Sequence, residues 1–194
     1  MSTERGKTLL AIARASISTA LGQPLQAAQD AHWLQEWGAS FVTLTQHGQL
    51  RGCIGSLQAR RSLLADVKSN AVSAALHDPR FLPLNAPELA QTEIEVSVLS
   101  PMQALRFENE QHALDQLQPG TDGIALEYAH HRGTFLPQVW EQLPSRRDFL
   151  TQLKRKAGLP PGFWSEELKL YRYSVAKYKE SQPRDVPTTP CGSA

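Results

Sequence analysis

Apolar residues recur at Leu9, Leu10, Ile12, Ala13, Ile17 and Leu21, the spacing of one helix face, and Gly22 with Pro24 predicts where that helix stops. A second helical start at Asp30 runs into Trp33-Leu34-Gln35-Glu36-Trp37 and is predicted to end at Gly38. The period then changes. Phe41 to Thr45 is rich in β-formers, Gln46-His47-Gly48-Gln49 predicts a tight turn, and the returning strand carries Leu50 to Gly55. Helical spacing resumes at Leu63, Leu64, Val67, Ala71, Ala74 and Ala75 behind Ser62 as N-cap. It must stop near His77, because Pro79 pushes the residue before it out of helical geometry.

Thr92 to Leu99 alternates, with Ile94, Val96 and Val98 facing one way and Glu93, Glu95 and Ser97 the other. Asp122 to Tyr128 and Gly133 to Leu136 predict a strand pair, with His130-His131 in the loop between them. Ser145 to Lys156 predicts a helix with a Ser145/Asp148 capping pair and a stop at Gly158. Lys169 to Ala176 alternates as a late strand. Strands come in runs, interrupted by helices at irregular intervals, so the expected class is α+β with a largely antiparallel sheet packed with helices. The expected organisation is one domain over 1–180, as a single body or as two intertwined subdomains. Residues 181–194 turn Pro-rich and are expected to form a flexible tail.

Composition narrows this picture without redirecting it. A chain of 194 residues with 41% hydrophobic residues can bury a core without disulfides. Its net charge of +1 gives no global field for nucleic acid or membrane. Cys53 and Cys191 are the two cysteines, the second in the Pro/Thr/Gly/Ser tail; a disulfide between them is not expected, which suits a reducing compartment. Near the N-terminus, Ala13-Arg14-Ala15 imitates a signal-peptide cleavage site. Glu4 and Arg14 break the required pattern, and the expectation is a soluble, cytoplasmic protein.

The candidate chemistry centres on Leu50-Arg51-Gly52-Cys53-Ile54-Gly55. On a regular strand, Leu50 and Ile54 mark the core side, while Arg51 and Cys53 are neighbours on the other face, ~6–7 Å apart. A guanidinium that close favours thiolate over thiol. Gly52 and Gly55 leave room where a ligand or another backbone can approach. The alternative stands beside it: cysteine is commonly buried, and strand glycines commonly mark close packing.

Asp78-Pro79-Arg80-Phe81 follows a helix end. Asp78 suits a turn-shaping role, and Arg80 suits either a carboxylate partner or, with Arg51, an anion pocket. Glu95 suits a solvated strand position, a counter-ion to Arg51 or Arg80, or a proton carrier. His47 and His77 are further base candidates for Cys53. None of the six histidines stands at metal-ligand spacing. Arg60-Arg61, Arg146-Arg147 and Lys154-Arg155-Lys156 read as solvated basic faces, with protein or nucleic-acid contact the lesser alternative. No cofactor is expected. The chain has neither the cysteine triad of an iron–sulfur centre nor a Gly-rich phosphate loop.

The motif Leu50-Arg51-Gly52-Cys53-Ile54-Gly55 resembles the signature of the AMMECR domain family. The resemblance continues through Asp78-Pro79-Arg80-Phe81, the run Ile94 to Pro101, Asp122-Gly123-Ile124, the run Gly133 to Trp140, and Lys156-Ala157-Gly158. It implies a two-layered α+β fold with a smaller accessory subdomain. In bacteria and archaea it implies a place in the AmmeMemoRadiSam system, beside a Memo-like protein and a radical SAM protein that would hold any radical chemistry. It supplies no reaction. Two functions therefore stand: a cleft on the Cys53 strand that binds or transforms an anionic substrate, with Cys53, Arg51 and Glu95 acting and Gly52, Gly55, Asp78 and Arg80 binding, or a protein- or RNA-binding module without chemistry.

Overall fold

The computed structural model describes residues 3–180, which contain helices and two four-stranded, antiparallel sheets. In chain order the elements are α1 (Glu4–Ala20), β1 (Ala39–Gln46), β2 (Gln49–Gly55), α2 (Leu63–Leu76), α3 (Ala86–Leu89), β3 (Glu93–Leu99), β4 (Gln103–Ala104), α4 (Glu110–Gln116), β5 (Gly123–Tyr128), β6 (His131–Phe135), α5 (Arg146–Lys156), β7 (Lys169–Tyr173) and β8 (Val175–Lys179). Two compact units result. One takes residues 3–96 and 177–180; the other is Ser97–Ala176. Cys191 and the tail expected over 181–194 lie outside the described residues.

In the first unit the strand order is β2-β1-β3-β8, which makes β2 an edge strand. α1 starts at Thr3, whose side chain accepts the Gly6 N–H, and buries Leu9, Ile12, Ala13 and Ile17. α2 starts at Ser62, which accepts the Ala65 N–H, and buries Val67, Ala71 and Ala74. It packs on β1 and β2, where Val42 and Leu44 are fully buried. Gln46 pairs with Gln49 across His47-Gly48, both at positive φ, the left-handed pair of a two-residue hairpin turn. Arg14 of α1 closes the unit: it holds the Glu180 carboxylate and donates to the carbonyls of Leu89 and Thr92.

The second unit has strand order β4-β7-β5-β6. Its core joins Leu114 and Leu117, Ile124 and Leu126, Trp140, Phe149, Leu150 and Leu153, and Leu168 and Leu170. Trp140 stacks on Phe149 at 3.7 Å. The glycines of its sequence motifs serve packing: a side chain on Gly123 would strike the Tyr173 ring, and one on Gly133 would press on Ala157 and the Leu153 carbonyl.

Three expectations change. The helix expected from Asp30 is only a 3-10 turn, His32–Leu34. The backbone beyond it is used otherwise: Glu36 and Gly38 bond to Leu63 and Arg61, and Trp37 bridges Ser62. The late strand over 169–176 is two strands in different sheets, parted at Ser174, whose N–H and C=O bond to Ser100. Lys154, expected on a solvated face, is wholly buried and holds Glu110 at 2.6 Å. Two short helices had no periodicity to reveal them, α3 and α4, each begun by an asparagine cap (Asn85 and Asn109). No helix among the described residues is long and apolar enough to cross a membrane.

Candidate functional site

The geometry around Cys53 follows from one irregularity. Leu50 pairs with Thr45 and Gly52 with Leu44, so Arg51 is an extra residue, a β-bulge. A bulge reverses the alternation on one side of itself. Gly52 faces α2, where a Cβ would lie 2.1 Å from the Ala74 carbonyl. Cys53, the next residue, therefore faces away from α2, as does Thr43 opposite it. Leu50, expected on the core side, is turned out and exposed.

The bulge also sends Arg51 elsewhere than expected. Its Nε and Nη2 hold the Glu88 carboxylate at 3.2–3.4 Å, and Nη1 donates to the Leu82 carbonyl at 2.9 Å. Glu88 is part of a capping box with Asn85, and its carboxyl is held below its ordinary value, first by the Asn85 N–H and then, against burial, by Arg51. Arg51 is thus a clamp on the 82–88 segment. The guanidinium beside Cys53 belongs to Arg80.

Asp78 arranges that meeting. Its buried carboxylate accepts the Cys53 N–H at 2.9 Å, the Arg80 N–H at 3.1 Å, and the Arg80 side chain at 2.9 and 2.7 Å. Arg80 Nη2 then donates to the Cys53 carbonyl at 3.2 Å. The two outward backbone groups of Cys53, which an edge strand would leave bare, are both satisfied by the Asp78-Pro79-Arg80 turn. Asp78 is held well below the ordinary carboxylate range, chiefly by the Arg80 side chain and, against its burial, by the two backbone donors. Arg80 is raised in turn, first by Asp78, with a smaller contribution from Cys53. Yet the Arg80 side chain stays 54% exposed, and no described residue takes its Nη1.

The Cys53 sulfur receives a hydrogen bond from the Thr43 hydroxyl at 3.4 Å. His47 and His77 are exposed, and neither makes a hydrogen bond to it. Glu95 is half-buried on β3, on the face opposite Ile94 and Val96, two strands from the Cys53 strand and so at least ~9–10 Å from it in backbone spacing. The space left by Gly52 and Gly55 is filled by the protein itself. Where Gly52 has the Ala74 carbonyl, Gly55 has the Phe41 ring at 2.2 Å from its absent Cβ.

Beyond Gly55 lies a polar cluster that periodicity did not reveal. The buried Asp66 carboxylate accepts from the Ser40 N–H and hydroxyl, the Ser56 hydroxyl, Asn70 and Arg61 at 2.8–3.0 Å. Its donors saturate it, so it fixes the strand ends and leaves no open acceptor. In the second unit, a groove of about 520 Å³ is lined by Glu127, Arg132, Glu167 and Lys169 with Tyr128 and Ala129; its charges offset one another. Among the described residues no group of three or more His, Cys, Asp and Glu side chains is placed to hold a metal ion.

Comparison with known proteins supplies the lineage. Residues 10–178 match the AMMECR1 family. Protein MJ0810 of Methanocaldococcus jannaschii is 33% identical over 95% of this chain and 94% of its own length. A protein of Methanothermobacter thermautotrophicus is 36% identical over 93% and 96%. The crystal structure of protein PH0010 from Pyrococcus horikoshii superposes with a TM-score of 0.78 at 32% identity, covering 93% of this chain and 94% of that one.

Proposed function

The chain belongs to the AMMECR1 family, and from that membership and the site we propose that it is a cytoplasmic component of a radical-SAM-associated modification system. It would work beside a Memo-like protein and a radical SAM protein, and its own task would be to hold an anionic group of the substrate at Arg80, next to Cys53. One observation carries the reading: the Arg80 guanidinium is fastened to Cys53 through Asp78 while no described residue takes its Nη1 edge. A guanidinium fixed in place and half in water is ready to donate to a carboxylate or phosphate. A version with chemistry uses Cys53 as nucleophile or thiol donor and Glu95 to move protons. It asks for a base in reach of the sulfur, where the hydrogen-bond partner is the Thr43 hydroxyl. Binding is therefore the better-supported role.

The test compares two alkylating reagents on Cys53, anionic iodoacetate and neutral iodoacetamide, in a Cys191→Ser background. An exposed charge ~4 Å away contributes on the order of 1 kcal/mol, or about fivefold in rate. The iodoacetate-to-iodoacetamide ratio should fall by about that factor in Arg80→Gln and be kept in Arg80→Lys. An equal ratio in all three proteins would remove Arg80 from the site.

A further inference from the structure

Among the described residues Leu82 is the most exposed large apolar side chain, at 83%, and Leu50 stands open at 43%. Neither sits on loose chain. Arg51, next to Leu50, donates to the Leu82 carbonyl, and its other nitrogens hold Glu88. Glu88 in turn accepts the Asn85 N–H. The main chain beside both leucines is thus pinned, and the bulge at Arg51 is what turns Leu50 outward. Leu82 is joined through Phe81 to Arg80, whose guanidinium lies over the Phe81 ring at 5.5 Å. Two exposed apolar side chains on backbone tied together by the Arg51–Leu82 hydrogen bond, with Arg80 two residues before Leu82 and no described residue on its Nη1, make a surface of mixed character suited to a protein contact. Strand addition is closed at this point of the edge, because Asp78 and Arg80 already take the Cys53 N–H and C=O. A partner must therefore be met through side chains.

We infer that the anionic group bound at Arg80 is presented by a protein segment, not by a free small molecule. The segment lays an aliphatic or aromatic side chain on Leu50 and Leu82 and sets a neighbouring Asp or Glu carboxylate on the Nη1 edge of Arg80. The charge of that edge selects the acid, and the two leucines select the apolar neighbour. This inference rests on the reading of Arg80 as an anion-binding group.

The experiment pans a display library of random peptides on the wild-type protein and measures recovered peptides by fluorescence anisotropy. Both leucines are exposed, so Leu50→Ser and Leu82→Ser leave the fold in place. The recovered peptides should carry Asp or Glu close to Leu, Ile, Phe or Trp. Leu50→Ser, Leu82→Ser and Arg80→Gln should each weaken them by about fivefold or more. Recovery of no binder, binders without an acid, affinities unmoved by either leucine change, or self-association that Leu82→Ser abolishes would each overturn the inference. The iodoacetate preference separates the two levels. If it holds while the peptides fail, only the docking is wrong; if wild type lacks it, the reading beneath falls as well.

Discussion

Arg80 Nη2 lies 3.2 Å from the carbonyl oxygen of Cys53. The same guanidinium is gripped by Asp78, which takes the Cys53 N–H on its other side. Cys53 is thereby held at both backbone groups by one turn of chain. The arginine of its own strand, Arg51, is occupied with Glu88 and Leu82.

That division of labour makes Arg51→Ala and Arg80→Gln different in kind. Arg51→Ala should leave the iodoacetamide rate at Cys53 within about twofold of wild type. It should lower stability by about 1.5–3 kcal/mol, the worth of a charged hydrogen bond in a half-buried pair. Thermal unfolding and alkylation on one sample decide it. A large change in alkylation with no loss of stability would restore Arg51 to the site.

Asp78 should leave its mark at acid pH. Its folded pKa is depressed, so its contribution is complete above the unfolded carboxylate value of ~3.9 and is lost as pH falls below it. Glu88 acts with the same sign. Denaturant unfolding of wild type should weaken steeply below about pH 4. Asp78→Asn should be less stable at neutral pH and flatter across that acid range. Parallel curves would mean that Asp78 gains nothing from its partners.

Gly52 and Gly48 are both strand-hairpin glycines with unlike reasons to be there. A Cβ at Gly52 meets the Ala74 carbonyl carbon and oxygen, at 3.1 and 2.1 Å. A Cβ at Gly48 meets nothing, and only its φ of +76 resists substitution. Gly52→Ala should cost about 3 kcal/mol by forcing β2 from α2, against about 1 kcal/mol for Gly48→Ala. Equal costs in chemical denaturation would contradict the close approach.

For the buried lysine the two halves of the pair should behave unequally. Lys154 has no exposed side-chain surface, and Glu110 is about one-third exposed. Glu110→Ala strands a charge in the core and should cost about 3 kcal/mol, whereas Lys154→Met removes it and should stay within about 1 kcal/mol of wild type. The reverse order in urea midpoints would refute the ion-pair account.

Glu180 should prove a structural residue. Its carboxylate holds Arg14 Nε at 2.7 Å and accepts the Ile94 N–H at 3.0 Å, and its own N–H bonds to the Ile94 carbonyl. Glu180→Ala should lower stability by about 2 kcal/mol. A shift within error of zero would show the lock to be idle.

What periodicity could reach were the long elements. The helices that bury Leu9 to Ile17 and Val67 to Ala75 carry apolar stripes, and the His47-Gly48 turn follows from residues that tolerate positive φ. What it could not reach were departures from period. An inserted Arg51 looks like any other strand residue in sequence, so Leu50 and Arg51 are assigned to the wrong faces. Lys154 sits in a run of three basic residues, and only the helix register shows that the first of them points inward. The link between Arg80 and Cys53 spans 27 residues and depends on where a turn lands, which no local pattern carries. The motif itself was legible as a locality; its wiring was not.

The first unit is interrupted, and that has a consequence in time. Its sheet gains β8 only after the roughly 80 residues of Ser97–Ala176 have been made. At ~5–20 residues per second on a ribosome, this is a delay of about 4–16 s. Throughout it β3 has no outer neighbour, and Arg14 has no Glu180 to grasp. The nascent chain thus carries a bare strand edge for as long as that insert takes to make, a period when a chaperone or another emerging chain competes with β8 for the same place.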